Sequence, residues 1–123
     1  TIASGPVIIE DGKVLLTKHS DDTFWKFPGG SVEDSESFQE TAKNEAKHKL
    51  GIDIEILTPP HIISFNRDTD GRQELVLLIH YAANRLDEID ADAEAKEFTW
   101  FDIGNLPKEI APNVKIAIEH FSS

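Results

Sequence analysis

The chain has 123 residues, of which 39% are hydrophobic and 28% are charged, a composition typical of one ordinary folded domain rather than of a disordered chain. Its 23 acidic residues outnumber its 12 basic residues and give a formal net charge of -11, which disfavours binding to long nucleic acids. Cysteine is absent, so disulfides and thiolate metal sites are excluded.

Neither a membrane segment nor a secretion signal is predicted. No apolar run reaches the roughly 20 residues that a membrane-spanning helix needs, and no signal-peptide pattern opens the chain. The lack of cysteine fits a reducing compartment, so we expect a cytoplasmic protein that does not bind membranes. Methionine is also absent, which suggests that the initiator was removed or that the sequence was trimmed.

The first predicted elements are a hairpin and a glycine-rich turn. The stretch PVIIEDGKVLLTK predicts two strands joined at Asp11-Gly12, because an Asp-Gly pair suits a tight hairpin turn. TFWKFPGG predicts a short strand that Pro28 interrupts. This strand leads into a flexible turn at Gly29-Gly30.

An amphipathic helix is predicted to begin at Ser37 and to end at Gly51. Ser37 and Glu40 have the Ser-x-x-Glu spacing of a capping box, and glycine is a common residue at a helix C-terminus. Apolar residues recur at every fourth position and form one stripe that can pack on a sheet. The residues of this stripe are Phe38, Ala42, Ala46 and Leu50.

Further strands and a second helix complete the chain. IDIEIL and HIISFN are predicted strands separated by Pro59-Pro60, and DTDG is a predicted turn. ELVLLIHYAA is apolar enough for a central strand buried on both faces, and KEFTWF is the last predicted strand. Pro112 suits the first turn of a closing helix through NVKIAIEHF. This order of elements predicts an α/β sandwich around a mixed sheet.

Carboxylates are concentrated in the loop before the first helix and in its first turn. Glu33, Glu36 and Glu40 crowd this region, while positions 41, 45, 48 and 49 share a helix face away from the apolar stripe. Such a cluster forms either a solvated acidic face or an oxygen-ligand site for Mg²⁺. From the residues alone, the solvated face is the commoner outcome.

The spacing of these residues resembles the signature of the Nudix hydrolases, G-x5-E-x7-R-E-U-x-E-E-x-G-U, in which U is aliphatic. Gly30, Glu36, Glu45 and the pair Gly51-Ile52 match its positions. WKFPGG is similar to the family's approach to this motif, and EFTWFDIGNLP is similar to its late strand. The resemblance implies that residues 1–123 form one domain with the Nudix-type α/β/α sandwich around a mixed β-sheet.

The sequence departs from the family motif at the positions that carry its chemistry. Asn44 stands at the arginine position, so Glu36 loses the cationic partner that an arginine would offer. His48 and Lys49 stand at the positions of the last two glutamates. We expect the Lys49 ammonium to lie beside Glu45, one helical turn earlier, and to compete with a divalent ion for its carboxylate.

The resemblance implies a site for one or two divalent ions, Mg²⁺ or Mn²⁺, built from the ligands that remain. The expected metal ligands are the Gly29 carbonyl, Glu45, His48 and Glu97, with His48 favouring Mn²⁺ or another transition metal over Mg²⁺. Glu45 and Glu97 are the expected catalytic residues, as ligands or as the base. Three basic residues are candidates for binding the substrate, although each is more often exposed to solvent; they are Lys18, Lys26 and Arg67.

Three functions remain open from the sequence. The favoured one is a pyrophosphohydrolase, slow or with altered metal use, that cleaves a phosphoanhydride in a nucleoside diphosphate linked to another group. The second is a module that binds a nucleotide or polyphosphate without cutting it, with Lys49 as a fixed positive charge. The third treats Glu45 and Lys49 as an exposed pair without chemistry. The expected partner is a small nucleotide derivative; the sequence leaves the oligomeric state open and allows a dimer.

The histidines outside the motif show no metal-binding or catalytic spacing. We therefore expect His19, His61 and His80 to be scattered over the surface or the core, with nothing that pairs them.

Overall fold

The structure, a computed structural model, describes residues 1–19, 22–90, 92 and 97–122. Within these residues there are eight strands and two helices. The strands are β1 (Ile2–Val7), β2 (Ile9–Glu10), β3 (Lys13–Lys18), β4 (Gly30–Ser31), β5 (Ile54–Ile56), β6 (His61–Thr69), β7 (Arg72–Arg85) and β8 (Glu97–Asp102). The helices are α1 (Phe38–Leu50) and α2 (Pro112–Ser122). No described helix has the length and apolar character that crossing a membrane requires.

The strands form two sheets. In the larger sheet, β1 lies between β4 and β7, and β5 and β6 pair with β7 on its other edge. The β1–β7 pair is parallel, whereas β4, β5 and β6 pair in antiparallel fashion. The smaller sheet is antiparallel and has the order β2-β3-β8. The larger sheet is therefore mixed, as the sequence predicts.

Two Asp-Gly pairs close the hairpins. Asp11 and Gly12, between β2 and β3, have φ values of 51° and 76°. Asp70 and Gly71, between β6 and β7, have φ values of 52° and 80°. Positive φ at both central residues is the pattern of a type I′ turn, which matches the right-handed twist of the flanking strands. Both predicted turns are confirmed.

Helix α1 has the predicted ends. The Ser37 hydroxyl accepts a hydrogen bond from the Glu40 amide at 3.1 Å, and the Glu40 carboxylate accepts one from the Ser37 amide at 3.3 Å. Gly51 ends the helix in the left-handed conformation with φ of 69°. Both are the local signals from which the helix was predicted.

The apolar stripe of α1 is shorter than predicted. Ala42, Ala46 and Leu50 are buried, but Phe38 is 37% exposed, so its predicted place in the stripe is wrong. Thr41 is buried near that end instead, with its hydroxyl bonded to a loop carboxylate. The four-residue spacing therefore holds only after the first turn of the helix.

Of three core clusters among the described residues, the two larger ones lie on the two sides of the strands. One contains Ala46 and Leu50 of α1, and the other contains Val114 and Ala117 of α2. Adjacent strand residues divide between them: Leu15 belongs to the α1 cluster, whereas Val14 and Leu16 belong to the α2 cluster. This alternation follows from the two-residue period of a strand. The result is the α/β/α layering expected from the sequence.

The other departures concern strands. β1 begins at Ile2, four residues before the stretch that the sequence analysis read as strand. TFWKF forms isolated bridges at Trp25 and Lys26 rather than a strand. β7 buries mainly its C-terminal half, with Leu75 57% exposed, so the predicted burial on both faces holds only for that half. In KEFTWF, the strand runs from Glu97, and Lys96 lies outside the described residues.

Candidate active site

The Gly29-Gly30 turn is packed between β1 and helix α1. A Cβ atom at Gly29 would lie 2.7 Å from the Ser4 carbonyl oxygen, and one at Gly30 would clash with the Glu45 carboxylate. Glycine at both positions lets the main chain approach the strand on one side and the helix on the other. The turn therefore presents the Gly29 carbonyl to the side chain of Lys49 on α1.

Lys49 occupies the space between this turn and Glu45. Its Nζ atom donates a hydrogen bond to the Gly29 carbonyl oxygen at 2.5 Å and lies 3.9 Å from Glu45 Oε2. The expected approach of Lys49 to Glu45 is confirmed. The Gly29 carbonyl and the Glu45 carboxylate are two of the metal ligands that the family resemblance implies.

The present arrangement does not fit a divalent ion. Gly29 and Glu45 supply oxygen atoms of the kind that Mg²⁺ prefers, but the Lys49 ammonium holds the carbonyl and adds a positive charge beside the carboxylate. Within the described residues, no group of three or more acidic or histidine side chains is arranged to hold an ion. Binding an ion at this turn would require Lys49 to move away.

Glu36 is held by neutral donors. Asn44 Nδ2 donates to Glu36 Oε2 at 2.6 Å, and the Thr41 hydroxyl and the Glu33 amide donate to Oε1 at 3.0 and 3.2 Å. These hydrogen bonds, that of Asn44 first, lower the pKa of Glu36 below its ordinary value. Asn44 thus contacts Glu36 from the family's arginine position, without the charge of an arginine.

The structure does not link the other two proposed metal ligands, His48 and Glu97, to Glu45 through any described hydrogen bond or ion pair. His48 is an exposed residue of α1, and Glu97 is the exposed first residue of β8, where it lies opposite Lys18 in the strand register. Among the described residues, neither side chain forms a hydrogen bond or ion pair with Glu45 or with the Gly29 carbonyl. Their assigned roles remain predictions.

The three candidate phosphate-binding residues have different surroundings. Lys26 lies 3.3 Å from Asp22, and Lys18 lies 5.6 Å from the centre of the Trp25 ring. Arg67 belongs to β6 and donates to Glu74 at 3.0 Å. Hydrogen bonds from Thr1 and then Arg67 lower the pKa of Glu74 to about 2. Arg67 is therefore engaged on the β6–β7 hairpin.

A cavity of about 240 Å³ adjoins the Gly29-Gly30 turn. Lys26 lines it, whereas Lys18 and Arg67 do not. Its walls also include Ser4 of β1, His80 of β7, Asn113 of α2 and Phe27 from the segment before the turn. A mainly apolar pocket with a few convergent polar groups is the usual form of a small-molecule site.

The expectation that nothing pairs His61 and His80 is wrong. The two residues are register partners in β6 and β7, and the His61 ring stacks on His120 of α2 with centroids 3.9 Å apart. His80 Nδ1 lies 3.3 Å from the His61 carbonyl oxygen, and its Nε2 lies 2.9 Å from Asn113 Nδ2. A neutral ring that donates from Nδ1 and accepts at Nε2 satisfies both contacts.

Burial favours the neutral form of the His80 ring. The residue is 3% exposed, and desolvation lowers its pKa to about 4. Sequence spacing gave no sign of this cluster, because two of its members, Asn113 and His120, come from α2, more than thirty residues after His80.

Comparison with known proteins agrees with this geometry. The family model of the NUDIX domain matches residues 2–121. The chain is 30% identical over 118 residues to an ADP-ribose pyrophosphatase of Methanocaldococcus jannaschii, covering 94% of this chain and 69% of that protein. It is 31% identical over 111 residues to the nucleoside triphosphatase NudI of Escherichia coli, covering 77% of each chain.

Solved structures show the same fold. A MutT NUDIX hydrolase from Burkholderia pseudomallei superimposes with a TM-score of 0.76 at 24% identity, over 96% of this chain and 95% of that one. A NUDIX hydrolase from Nitrosomonas europaea superimposes with a TM-score of 0.83 at 19% identity, over 98% of this chain and 87% of that one. With the layered fold and the Gly29-Gly30 turn packed on α1, these matches show that the chain belongs to the Nudix hydrolase family.

Proposed function

We propose that this protein is a slow pyrophosphohydrolase that cleaves the phosphoanhydride of a nucleoside diphosphate linked to another group. The observation that carries the proposal is the cavity lined by the Gly29-Gly30 turn. The Glu45 carboxylate packs against Gly30 of the same turn and does not itself line the cavity. One similar protein is an ADP-ribose pyrophosphatase, and ADP-ribose is a nucleoside diphosphate linked to a sugar. The fold alone would not carry this function, because one fold can support many activities.

The residues around the turn have distinct proposed roles. Lys26 lines the cavity and is placed to bind a phosphate oxygen as a point charge. Glu45 is the proposed group that orients the attacking water and accepts its proton, and Glu97 is the second candidate for that role. The Mg²⁺ or Mn²⁺ implied by the family would use the Gly29 carbonyl and Glu45, with His48 and Glu97, only after Lys49 had moved. This requirement is the physical reason for slow turnover.

A second function follows from the same lysine. Because Lys49 contacts the Gly29 carbonyl and lies near Glu45, the site holds a fixed cation that does not dissociate. The protein would then bind a nucleotide or polyphosphate without cleaving it. Both functions imply a small-molecule partner, and both fit the cytoplasmic location that the sequence suggests.

A substrate panel separates these functions. ADP-ribose, a UDP-sugar and a nucleoside triphosphate are incubated with the protein in Mg²⁺, in Mn²⁺ and in EDTA, and the nucleotide products are separated by chromatography. We expect slow formation of AMP from ADP-ribose. Saturable binding measured by calorimetry without any product would support the binding module. Neither binding nor product for any substrate would reject both proposals.

A further inference from the structure

Lys49 joins two segments that are far apart in the chain. It donates from helix α1 to the carbonyl of Gly29, 20 residues earlier, and its side chain is 13% exposed. Lys47, two positions before it on the same helix, is 58% exposed and pairs with Asp53 at 3.7 Å. The two lysines have the same chemistry but very different surroundings.

The contacts of Lys49 are those that a bound ion would make. A backbone carbonyl and a carboxylate are both ligands for hard divalent cations. A lysine ammonium supplies a compact positive charge and three N–H donors for the same oxygen atoms. Since the ammonium is covalently attached, its occupancy of the site does not depend on the concentration of free metal ions.

Close packing confines the turn that Lys49 contacts. A Cβ atom at Gly5 would lie 2.8 Å from the Gly29 Cα, and one at Gly30 would clash with the Glu45 carboxylate. The turn therefore has little room to move toward β1 or α1. In this confined position, Lys49 donates a hydrogen bond to the Gly29 carbonyl.

We propose that Lys49 takes the place of a divalent ion, so that this site keeps its shape and neutralises a pyrophosphate with no metal bound. The part concerning pyrophosphate rests on the function proposed above. The part concerning shape does not, because it depends only on the contacts of Lys49 with Gly29 and Glu45. Lys49 Nζ lies 3.9 Å from Glu45 Oε2, so its positive charge lies beside the carboxylate without a direct hydrogen bond to it.

Thermal melting tests the structural part without any substrate. The native protein, Lys49→Met, Lys49→Glu and the matched control Lys47→Met are melted in EDTA, Mg²⁺ and Mn²⁺ at equal ionic strength. The melting temperature of the native protein should be the same in all three solutions, and so should that of Lys47→Met. Lys49→Met should melt lower by roughly 3 °C or more. Lys49→Glu should melt lower in EDTA and recover as the metal concentration rises, because an ion then binds the folded state.

Two results of the melting experiment would overturn the proposal. One is a metal-dependent rise in the melting temperature of the native protein that Glu45→Gln abolishes, since an ion would then bind beside Lys49. The other is Lys49→Met melting together with the native protein.

Calorimetry with ADP as the probe tests the pyrophosphate part. The dissociation constant of the native protein should be the same within about twofold in EDTA and in Mg²⁺, and Lys49→Met should weaken binding in EDTA about tenfold, or about 1.4 kcal/mol. Binding of ADP only in the presence of Mg²⁺ would overturn the proposal. If ADP does not bind in either solution while the melting results are as expected, the nucleotide function fails and the structural replacement stands.

Discussion

At the scale of single residues, the partners of the carboxylates set the chemistry of this site. Glu45 lies beside the ammonium of Lys49, and Glu36 accepts hydrogen bonds from neutral groups. A positive charge beside a carboxylate reduces its attraction for a second cation. Neutral donors hold a carboxylate in place without that electrostatic effect. Weak metal binding is therefore expected even though two of the motif's four glutamates, Glu36 and Glu45, are present.

Removing the charge of Glu45 tests its proposed role. Glu45→Gln keeps the size of the side chain and a good helix former but loses the carboxylate. Hydrolysis should fall at least tenfold, equivalent to about 1.4 kcal/mol. Initial rates on ADP-ribose measure the effect, with the exposed Glu55→Gln as the control. Unchanged hydrolysis would mean that the catalytic carboxylate lies elsewhere.

The buried His80 predicts a pH dependence of stability. Its pKa is lowered from 6.5 to about 4 in the folded protein, so the unfolded chain binds the proton more tightly. The stabilisation is fully present above pH 6.5 and is lost as the pH falls toward 4. The native protein should lose about 3 kcal/mol of unfolding free energy from this group over that range.

Urea unfolding at several pH values measures this effect. His80→Gln should flatten the profile between pH 6.5 and 4 relative to the native protein, whereas the exposed His48→Gln should follow the native profile. Equal slopes for the native protein and His80→Gln would show that another group is responsible.

At the scale of elements, helix α1 combines standard ends with an unusual last turn. Its last turn contains Lys47, His48 and Lys49, and cations there interact favourably with the helix dipole. Glutamates at positions 48 and 49 would oppose the dipole unless a bound ion compensated for them. The present residues thus stabilise the helix itself, at the expense of a divalent-metal site.

Restoring the acidic residues of α1 tests whether its basic last turn prevents metal binding. The double change His48→Glu with Lys49→Glu should tighten Mg²⁺ binding and speed pyrophosphate cleavage, because it adds two carboxylates and removes the competing ammonium. The variant should be less stable than the native protein in EDTA, since the Gly29 carbonyl loses its donor. Isothermal titration with Mg²⁺ and chromatography of the AMP formed from ADP-ribose compare it with the native protein. Tight Mg²⁺ binding by the native protein would show that Lys49 does not block the site.

At the scale of the whole molecule, two core clusters and a strongly acidic surface determine what the protein can bind. The clusters hold α1 and α2 on the two sides of the strands, and the cavity lies at the Gly29-Gly30 turn next to the start of α2. The net charge of -11 leaves few cations to displace counterions from a nucleic acid.

Long nucleic acids should therefore not bind. In a mobility-shift assay at physiological salt, duplex DNA and a long single-stranded RNA should remain unshifted at protein concentrations that bind a nucleotide. A small basic protein serves as the positive control. A tight, salt-sensitive shift would contradict the prediction and would require a basic surface that the charge balance does not suggest.

The features that the sequence determined by itself are local. The capping box of Ser37 and Glu40, the end of α1 at Gly51 and the two Asp-Gly turns depend on contacts within a few residues. Their physical causes, a cap hydrogen bond and a positive φ, are therefore visible in short stretches. The family motif likewise lies within one continuous segment, and its spacing was enough to predict the layered fold.

Features that only the tertiary structure decided involve partners from distant segments. Lys49 meets Gly29 because the turn packs on α1, and His80 meets Asn113 because α2 docks beside β7. The early start of β1 likewise depends on its pairing with β7. No periodicity encodes such pairs, since each arises from the packing of separate elements. Composition and spacing identified the segment that carries the chemistry, whereas tertiary packing determined which cation lies against its carbonyl and carboxylate.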